Sequence, residues 1–383
     1  MDAQLPPPSA DAQAASRALA ALIAGQIEAA GGWIPFARYM ELALYAPGLG
    51  YYSGGSRKFG QEGDFLTAPE ITPLFGQALA RQVAQATAAS APYVLEAGAG
   101  SGRLAADLLK ALAGAGQLPE KYFILELSGE LRARQQATLA AEAPAEAHRV
   151  EWLDRLPASF SGCVLANELL DALPAEAVAW RAEGPMERGV VLGPEGFAWS
   201  ERPAPPALAA AMAQLPPSPP FAAEIGLAAR AWTAEWGRRL AKGVLLLIDY
   251  GLTRRELYHP QRDGGTLRCH YRHRVHQDPF WWPGLSDITA HVDFTAVAEA
   301  GHDAGLDVLG YTSQSGFLMN CGLAEVLAER QAGGGEQATR AMGAAGLLIS
   351  PNEMGELFKV IALGRGVDEP LLGFVRGDRT HTL

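Results

Sequence analysis

The sequence predicts an α/β fold, with helices flanking a sheet whose strands are mostly parallel. Short apolar runs of strand length recur along the chain, and segments with the apolar spacing of a helix separate them. One run, residues 93–95, leads through a glycine-rich turn into a helix with apolar residues at Leu104, Leu108 and Leu112. Strand, tight turn and helix in this order present bare backbone N–H groups to a ligand.

Length and composition bound the class of protein. The chain has 383 residues, which is enough for one large or two ordinary domains with a real core. Hydrophobic residues make up 49% and charged residues 19%, as in globular proteins. The net charge of −11 argues against a protein that binds nucleic acid over its whole surface, and it is compatible with a cationic substrate.

The cysteines and the N-terminus bear on the compartment. Cys163, Cys269 and Cys321 are far apart and form no C-x-x-C pair, so we expect neither disulfides nor a metal site. The N-terminus shows no secretory signal and no Arg-rich transit pattern. The longest apolar runs, such as residues 244–248, are too short to span a bilayer. We therefore expect a cytoplasmic protein that does not enter the membrane.

Seven strands are predicted, with helices between the first five and a single helix before the last two. Segments of other character interrupt them. The predicted order is a flexible tail (1–15), an N-terminal helical region with a covering loop (16–90), the first part of the core (91–174), a β insertion (175–220), a second part of the core (221–251), a basic aromatic lid insertion (252–290) and the C-terminal part of the core (291–383).

Two of these segments have an unusual composition. Glycines and aromatic residues alternate over residues 48–76, and a long irregular loop of this kind is more often functional than idle, although an Ω-loop packed by its own aromatic rings is the alternative. Residues 252–290 carry six arginines and four histidines among aromatic residues. This segment could contact a nucleic acid, but the acidic charge of the whole chain favours a lid that pairs with the acidic body.

The glycine turn discriminates between ligands. Gly98, Gly100 and Gly102 alternate, whereas the dinucleotide pattern G-x-G-x-x-G would place its third glycine at Arg103. Glu96, at the end of the preceding strand, would repel a pyrophosphate but suits a ligand that carries an ammonium and a sulfonium. The pattern E-x-G-x-G-x-G resembles motif I of class I S-adenosylmethionine (SAM) methyltransferases. We therefore favour SAM over NAD as the cofactor.

A second acid follows the next strand. Glu126 comes directly after residues 122–125, where folds of this class grip ribose, because a carboxylate can accept hydrogen bonds from both hydroxyls. We assign Glu126 to the ribose, with Leu127 and Ser128 beside the cofactor. The alternative role for Glu126 is that of an acid at the N-terminus of the helix that begins near residue 129.

Further stretches carry a family resemblance. Together with residues 96–102 they resemble the MidA-type SAM-dependent methyltransferases, over a similarity that runs from about residue 34 to residue 364. The mitochondrial members of that family methylate an arginine of a complex I subunit and assist the assembly of the complex. The stretches are residues 63–70, 167–174, 249–251, 265–268, 283–284 and 287–294.

The resemblance implies a class I methyltransferase fold, which is a Rossmann-like seven-stranded sheet ending in a reversed strand pair, here with an N-terminal helical extension and two insertions. It also implies SAM as cofactor, S-adenosylhomocysteine (SAH) as product and an arginine of a protein as acceptor. The loop of residues 63–70 is then expected to close over the cofactor, with Gly63, Phe65 and Thr67 near it.

Four residues are candidates beside the reacting groups. Asn167 ends the fourth strand, where open α/β sheets bind ligands, and we assign it to the cofactor. Glu168 and Asp171 lie where arginine methyltransferases of this fold class place an acidic substrate loop, and paired carboxylates can grip a guanidinium. Alternatively, Asp171 caps a helix and Glu168 lines the cofactor. His291 is a candidate base or a holder of Glu168, with a structural role as the alternative.

Three functions stay open at this stage. The first is a SAM-dependent methyltransferase that modifies an arginine of a protein. The second is an NAD-type oxidoreductase on a similar sheet, and the third is an assembly factor that binds SAM without chemistry. We expect a protein substrate as partner and neither a membrane nor a nucleic acid, and the sequence leaves the oligomeric state open.

Overall fold

The computed structural model describes residues 5–54, 67–331 and 334–383. The described residues form both helices and strands. The helices are α1 (Ala10–Ala29), α2 (Phe36–Tyr45), α3 (Ala68–Ile71), α4 (Pro73–Ala89), α5 (Arg103–Gly114), α6 (Gly129–Glu142), α7 (Pro206–Met212), α8 (Leu227–Arg239), α9 (Arg254–Leu257), α10 (Phe294–Asp303), α11 (Gln314–Asn320), α12 (Leu323–Gln331), α13 (Gly335–Ile349) and α14 (Met354–Leu357).

The strands range in length from 2 residues in β1 and β14 to 13 residues in β10. They are β1 (Ile34–Pro35), β2 (Tyr93–Ala97), β3 (Lys121–Leu125), β4 (Val150–Leu153), β5 (Phe160–Asn167), β6 (Glu176–Arg181), β7 (Gly184–Gly193), β8 (Gly196–Pro203), β9 (Phe221–Ile225), β10 (Leu240–Leu252), β11 (Arg268–Tyr271), β12 (Arg274–His276), β13 (Asp287–Thr289), β14 (Val292–Asp293), β15 (Asp307–Ser313) and β16 (Phe358–Arg365).

The chain divides into two compact units. The N-terminal unit contains the described residues within 5–54, 170–230 and 252–293, and the core unit contains 67–169, 231–251, 294–331 and 334–383. Each unit is therefore assembled from separated parts of the chain.

The core unit is built on one sheet with the strand order β15-β16-β10-β5-β2-β3-β4. The neighbours from β10 to β4 run parallel, and β16 is antiparallel to both β10 and β15. The predicted fold class is confirmed: these are the seven predicted strands, with β16, the last strand of the chain, inserted antiparallel between β15 and β10. The middle segments of β5 and β10 are apolar because helices cover both faces of a parallel sheet, and residues 163–166 and 244–248 are almost fully buried.

Parallel strands present their carboxyl ends at one edge. In the core unit, β2, β3 and β5 are neighbours, so Glu96, Glu126 and Asn167 all lie at or just beyond that edge. Helix α5 returns from this edge and buries Leu104, Leu108 and Leu112, as their spacing predicts. The sheet thus gathers Glu96, Glu126 and Asn167 at one edge.

The N-terminal unit is an antiparallel β structure that also contains the helices α1, α2, α7 and α9. Its larger sheet has the order β1-β7-β6-β9, with β8 beside β7, and a smaller sheet has the order β12-β11-β13. Helix α1 begins at the cap Ser9, whose hydroxyl accepts a hydrogen bond from the N–H of Ala12 at 3.3 Å, and it buries Leu19, Ile23 and Ile27. Among the described residues, no helix combines the length and apolarity needed to cross a membrane.

Candidate functional site

The glycine turn requires glycine for two reasons. Gly98, Gly100 and Gly102 have φ angles of 69°, 53° and 82°, a left-handed region that other residues enter at a cost. A Cβ on Gly98 would lie 2.9 Å from a methyl carbon of Leu169, and one on Gly102 would lie 3.0 Å from the Cα of Gln135. The turn therefore brings backbone close to its neighbours and delivers the chain to the N-terminus of α5, where free N–H groups face a ligand.

Glu96 is a buried carboxylate just before this turn. Only 2% of the residue is exposed, and its Oε2 accepts a hydrogen bond of 2.6 Å from the hydroxyl of Tyr122. Burial raises the pKa of Glu96 to about 7, against the smaller lowering effect of the Tyr122 hydrogen bond. A carboxyl group in this state gains its charge readily when a cation arrives, which suits the ammonium group of an amino acid.

Glu126 is held in a fixed orientation at the end of β3. Its carboxylate accepts from the backbone N–H of Ser128 at 2.8 Å and from the side-chain amide of Gln135 at 3.0 Å. Burial raises the pKa of Glu126, while these hydrogen bonds lower it in part. Ser128 caps α6 through its hydroxyl, so the cap of that helix is the serine. The neighbouring Leu127 is 80% exposed, which leaves an apolar surface beside the acid.

Gln135 is a site residue that sequence reasoning missed. It is fully buried, and its Nε2 donates to the carbonyl oxygen of Gly100 at 3.1 Å as well as to Glu126. Its Oε1 accepts from the indole N–H of Trp152 at 2.9 Å. One amide thus joins the glycine turn to the acid at the next strand end. The available signal was a glutamine midway between Leu131 and Leu139 on the buried face of α6, where a polar group needs partners.

The end of β5 holds the next two predicted residues. The side-chain amide nitrogen of Asn167 donates to the Glu168 carboxylate at 3.0 Å, and the Asn167 amide oxygen is buried without a partner among the described residues. An orphaned acceptor at a ligand edge fits a donor supplied by a ligand. Glu168 has a φ of 53°, an unusual conformation that costs about 1–3 kcal/mol for a residue with a side chain.

The covering loop reaches the site at its C-terminal end. Gly63 and Phe65, which we predicted to contact the cofactor, lie outside the described residues, and Thr67 directly precedes α3. Glu70 in α3 accepts a hydrogen bond from the hydroxyl of Ser101, the residue between the second and third glycines of the turn. The described end of the loop is therefore attached to the glycine turn.

Asp171 and His291 belong to the N-terminal unit. Asp171 is 6% exposed, and its carbonyl oxygen accepts from the backbone N–H of Ala290 at 3.0 Å. The backbone N–H of His291 donates to the hydroxyl of Thr266 at 3.1 Å, and Thr266 in turn donates to the buried carboxylate of Glu224 from its N–H and its hydroxyl. Asp171 is thus joined to Ala290, and His291 is joined through Thr266 to Glu224 on β9 of the larger sheet.

Two tyrosines of the same unit bind polar groups of residues 172 and 287. Tyr52 donates its hydroxyl to both oxygens of Asp287 at 2.9 and 3.0 Å, and Tyr45 donates to the carbonyl oxygen of Ala172 at 2.9 Å. Burial, and then the charge of Asp287, raises the pKa of Tyr52 well above its usual value. A neutral Tyr52 therefore donates to Asp287 at all ordinary pH values.

The core unit thus brings together the predicted cofactor residues that the structure describes from residue 96 to residue 167, with Glu168 following them. Two strand-end acids, a bare glycine turn and an orphaned amide oxygen are complementary to a ligand with an ammonium group and a ribose. Within the described part of the chain, no cluster of His, Cys, Asp and Glu side chains is arranged to hold a metal ion.

Comparison with known proteins agrees with this geometry. Residues 75–312 match the model of a family described as S-adenosyl-L-methionine-dependent methyltransferases. A crystal structure from Burkholderia thailandensis with bound S-adenosyl-homocysteine is 53% identical, with a TM-score of 0.96, over 99% of this chain and all of that one. A native crystal structure from the same organism is also 53% identical, with a TM-score of 0.94 and the same coverage.

Curated relatives are similar along most of their length. The mitochondrial protein arginine methyltransferase NDUFAF7 of Mus musculus is 29% identical over 87% of this chain and 81% of its own length. The homologue of Drosophila melanogaster is 28% identical over 97% of this chain and 93% of its own length. Because these relatives are mitochondrial, the predicted cytoplasmic location is wrong by this comparison.

The cofactor prediction is confirmed by the family match and by the similar structure that holds the demethylated product of SAM, and the NAD alternative is set aside. The family model covers well over half of the chain. The chain belongs to the family of SAM-dependent methyltransferases and is an enzyme of that class.

Proposed function

We propose that the enzyme methylates an arginine side chain of a protein. The curated relatives named as protein arginine methyltransferases support this acceptor. In the structure, the proposal rests on the position of Glu168. Its carboxylate is held at the end of β5, next to β2, whose end leads into the glycine turn. A carboxylate in this position is suited to a guanidinium, which stays protonated at physiological pH.

The residues of the core unit would hold SAM along the sheet edge. Glu96 and the amide oxygen of Asn167 would accept from its ammonium group, and the backbone of residues 98–102 would border its methionine part. Glu126 would accept from the ribose hydroxyls, and the exposed side chain of Leu127 would lie against the adenine. Each assignment uses a group whose chemistry matches one part of the cofactor.

Bound SAM supplies an activated methyl group, and its S–CH₃ bond breaks as the electron pair of a guanidinium nitrogen forms the N–CH₃ bond, leaving neutral SAH. Glu168 would accept hydrogen bonds from the guanidinium, localise its charge and aim one nitrogen at the methyl group. The released proton leaves from the methylated nitrogen. Most of the rate then comes from alignment and the exclusion of water.

Asp171 and His291 remain proposed contacts of the acceptor. Asp171 would offer a carboxylate to the guanidinium, and His291 would accept the released proton or orient an acid. Each role is tested by its own variant, Asp171→Asn or His291→Gln. We expect both variants to keep SAH affinity and to lose methyl transfer.

The acceptor is tested by transfer of a tritiated methyl group from SAM. The purified enzyme is incubated with a lysate from a strain that lacks it, and the products are treated with protease or ribonuclease and analysed by mass spectrometry. We expect label that protease removes and that maps to arginine. Label confined to RNA, to small molecules or to other side chains would contradict the proposal.

Replacing Gln135 should weaken cofactor binding. In Gln135→Leu, the Glu126 carboxylate loses a donor, and the Gly100 carbonyl and the Trp152 indole lose their partner, so we expect SAH affinity to fall about tenfold. Isothermal titration calorimetry with SAH measures the change. The matched control is Gln82→Leu, which removes another fully buried glutamine of the core unit, one whose amide oxygen accepts from the N–H of Gly373. Equal losses of affinity in both variants would show a general loss of stability instead.

Cofactor binding should depend on pH through Glu96. In the ligand-free protein, burial raises the pKa of Glu96 to about 7, whereas the ammonium group of bound SAH favours the ionised form of this carboxyl group. Binding therefore releases a proton below that pH, and the affinity for SAH should fall about fivefold between about pH 7 and about pH 6. Calorimetry in two buffers of different ionisation enthalpy measures both quantities.

The titration of Glu96 affects the stability of the ligand-free protein in the opposite direction: stability falls as the pH rises, whereas SAH affinity increases. Because burial raises the pKa of Glu96 above its value in the unfolded chain, the folded ligand-free protein binds an extra proton between the two values and loses stability as pH rises through that window. Glu96→Gln should remove this loss and flatten the pH dependence of SAH binding while weakening binding itself. A variant with an unchanged pH profile would show that another group titrates.

A further inference from the structure

The backbone of Glu168 is held in place by the neighbouring strand β10. The N–H of Glu168 donates to the carbonyl oxygen of Ile248 at 2.9 Å, and the N–H of Leu169 donates to the Oδ2 atom of Asp249 at 3.1 Å. Two consecutive N–H groups are thus fixed to two consecutive residues of β10. They begin at the residue whose φ of 53° lies in the left-handed region.

The side-chain contact of Glu168 does not replace this attachment. Asn167 donates to the carboxylate of Glu168, so it restrains the end of the side chain and leaves the backbone torsion free to change. Asp249 acts at the peptide unit that follows Glu168, where a change of conformation would rotate the N–H of Leu169 away from its acceptor. The strained torsion therefore depends on the acceptor that Asp249 supplies.

Asp249 is itself a costly residue in this place. It is 1% exposed, and its second oxygen, Oδ1, accepts from the N–H of Tyr250 at 2.8 Å. Its direct cross-strand neighbour on the antiparallel strand β16 is Lys359, which is 5% exposed and donates its ammonium group to the carbonyl oxygen of Glu356. Removing charged groups from water is costly, and replacing buried charged residues by apolar ones of similar size is often neutral for stability. Stability alone therefore does not explain this acid, whereas its acceptor oxygens do.

We propose that Asp249 is a positioning residue that keeps Glu168 in its left-handed conformation and so aims the Glu168 carboxylate at the methyl acceptor. The inference rests on the proposed role of Glu168 in holding the arginine. Asp249 acts on Glu168 through its hydrogen bond to the backbone N–H of the next residue, Leu169. Its loss should therefore reduce methyl transfer and spare the binding of SAH by the glycine turn and Glu126.

The test separates positioning from stability by replacing both buried charged residues, Asp249 and Lys359, with apolar ones. In the double variant Asp249→Leu with Lys359→Met, both charges leave together, so the protein should fold with a melting temperature within a few degrees of wild type. We expect SAH affinity within about threefold of wild type and methyl transfer to lysate protein reduced roughly thirtyfold to a hundredfold. The crystal structure of the variant with SAH should show residue 168 at negative φ.

A conservative variant and a control complete the design. Asp249→Asn keeps one acceptor oxygen and should retain an intermediate transfer rate, and adding it to Glu168→Gln should cause little further loss if Asp249 acts through Glu168. The control Asp107→Asn changes another buried acid of the core unit, 2% exposed and paired with Lys110. It should leave methyl transfer and the conformation of residue 168 unchanged.

Two results would overturn the inference. One is a double variant that transfers methyl groups at the wild-type rate, and the other is a structure of that variant in which residue 168 keeps its positive φ. The proposed function fails in a different way, through a Glu168→Gln enzyme that is fully active. In that case the crystal structure of the double variant still decides whether Asp249 holds the backbone.

Discussion

Replacing Glu168 by glutamine is expected to abolish most methyl transfer while SAH still binds with nearly wild-type affinity. The substitution keeps the size of the side chain and removes its charge, so a guanidinium loses a charged acceptor. Truncating one partner of such a charge pair costs about 3 kcal/mol or more, which corresponds to a rate loss of roughly a hundredfold. The measurement is the initial rate of tritium transfer from SAM to the arginine acceptor, beside calorimetry with SAH.

The control for this variant uses the same chemical change elsewhere. Glu325→Gln removes an exposed carboxylate of α12 that lies 3.9 Å from Arg81, a contact that contributes little at the surface. It should transfer methyl groups at the wild-type rate. Full activity of Glu168→Gln would show that Glu168 does not hold the guanidinium. Loss of SAH binding in that variant would indicate that Glu168 contacts the cofactor instead. Retained binding with lost transfer would also argue against an assembly factor that does no chemistry.

The parts of the site that follow from local sequence could be predicted. Glu96 and Glu126 directly follow short apolar runs, and the glycines 98, 100 and 102 stand in a row, so strand ends and the turn between them were readable without a structure. The parallel sheet then brings neighbouring strand ends together. This is why the fold class and the cofactor could be inferred from a few short stretches.

Contacts between distant residues could not be predicted in the same way. Leu169 and Asp249 are 80 residues apart, and the hydrogen bond between Tyr52 and Asp287 spans 235 residues. Neither spacing nor composition specifies such pairs, because they depend on strand order and on side-chain packing. Gln135 was equally hidden, since its position on a helix face says only that it is buried.

The location of the protein lies outside this kind of reasoning. We predicted a cytoplasmic location, yet relatives similar over most of their length are mitochondrial proteins. The fold and the cofactor site are fixed by packing and hydrogen bonds, which leave marks throughout the chain. A destination is read by other proteins from short segments that do not affect the fold.

Replacing Glu126 by alanine is expected to weaken SAH binding by about a hundredfold or more. The variant removes an acceptor that is oriented by Ser128 and Gln135 and that would take hydrogen bonds from both ribose hydroxyls. Hydrogen bonds to a charged group contribute about 1.5–3 kcal/mol each, so two of them account for this loss. Calorimetry with SAH measures it, with thermal unfolding of the ligand-free protein as the check on folding.

An analogue of the ligand shows whether the loss arises at the ribose. The 2′-deoxy form of SAH lacks one of the two hydroxyls, so it should bind the wild-type enzyme about tenfold more weakly than SAH and the Glu126→Ala enzyme about equally well. Glu130→Ala is the matched control, because it removes an exposed acid from the first turn of the same helix that Ser128 caps. If Glu126 served only the helix N-terminus, the two variants would bind SAH alike and both would distinguish it from the deoxy analogue. If Glu126 binds the ribose instead, Glu126→Ala alone should bind SAH and the deoxy analogue equally well, because the hydroxyl has no acceptor left in that variant.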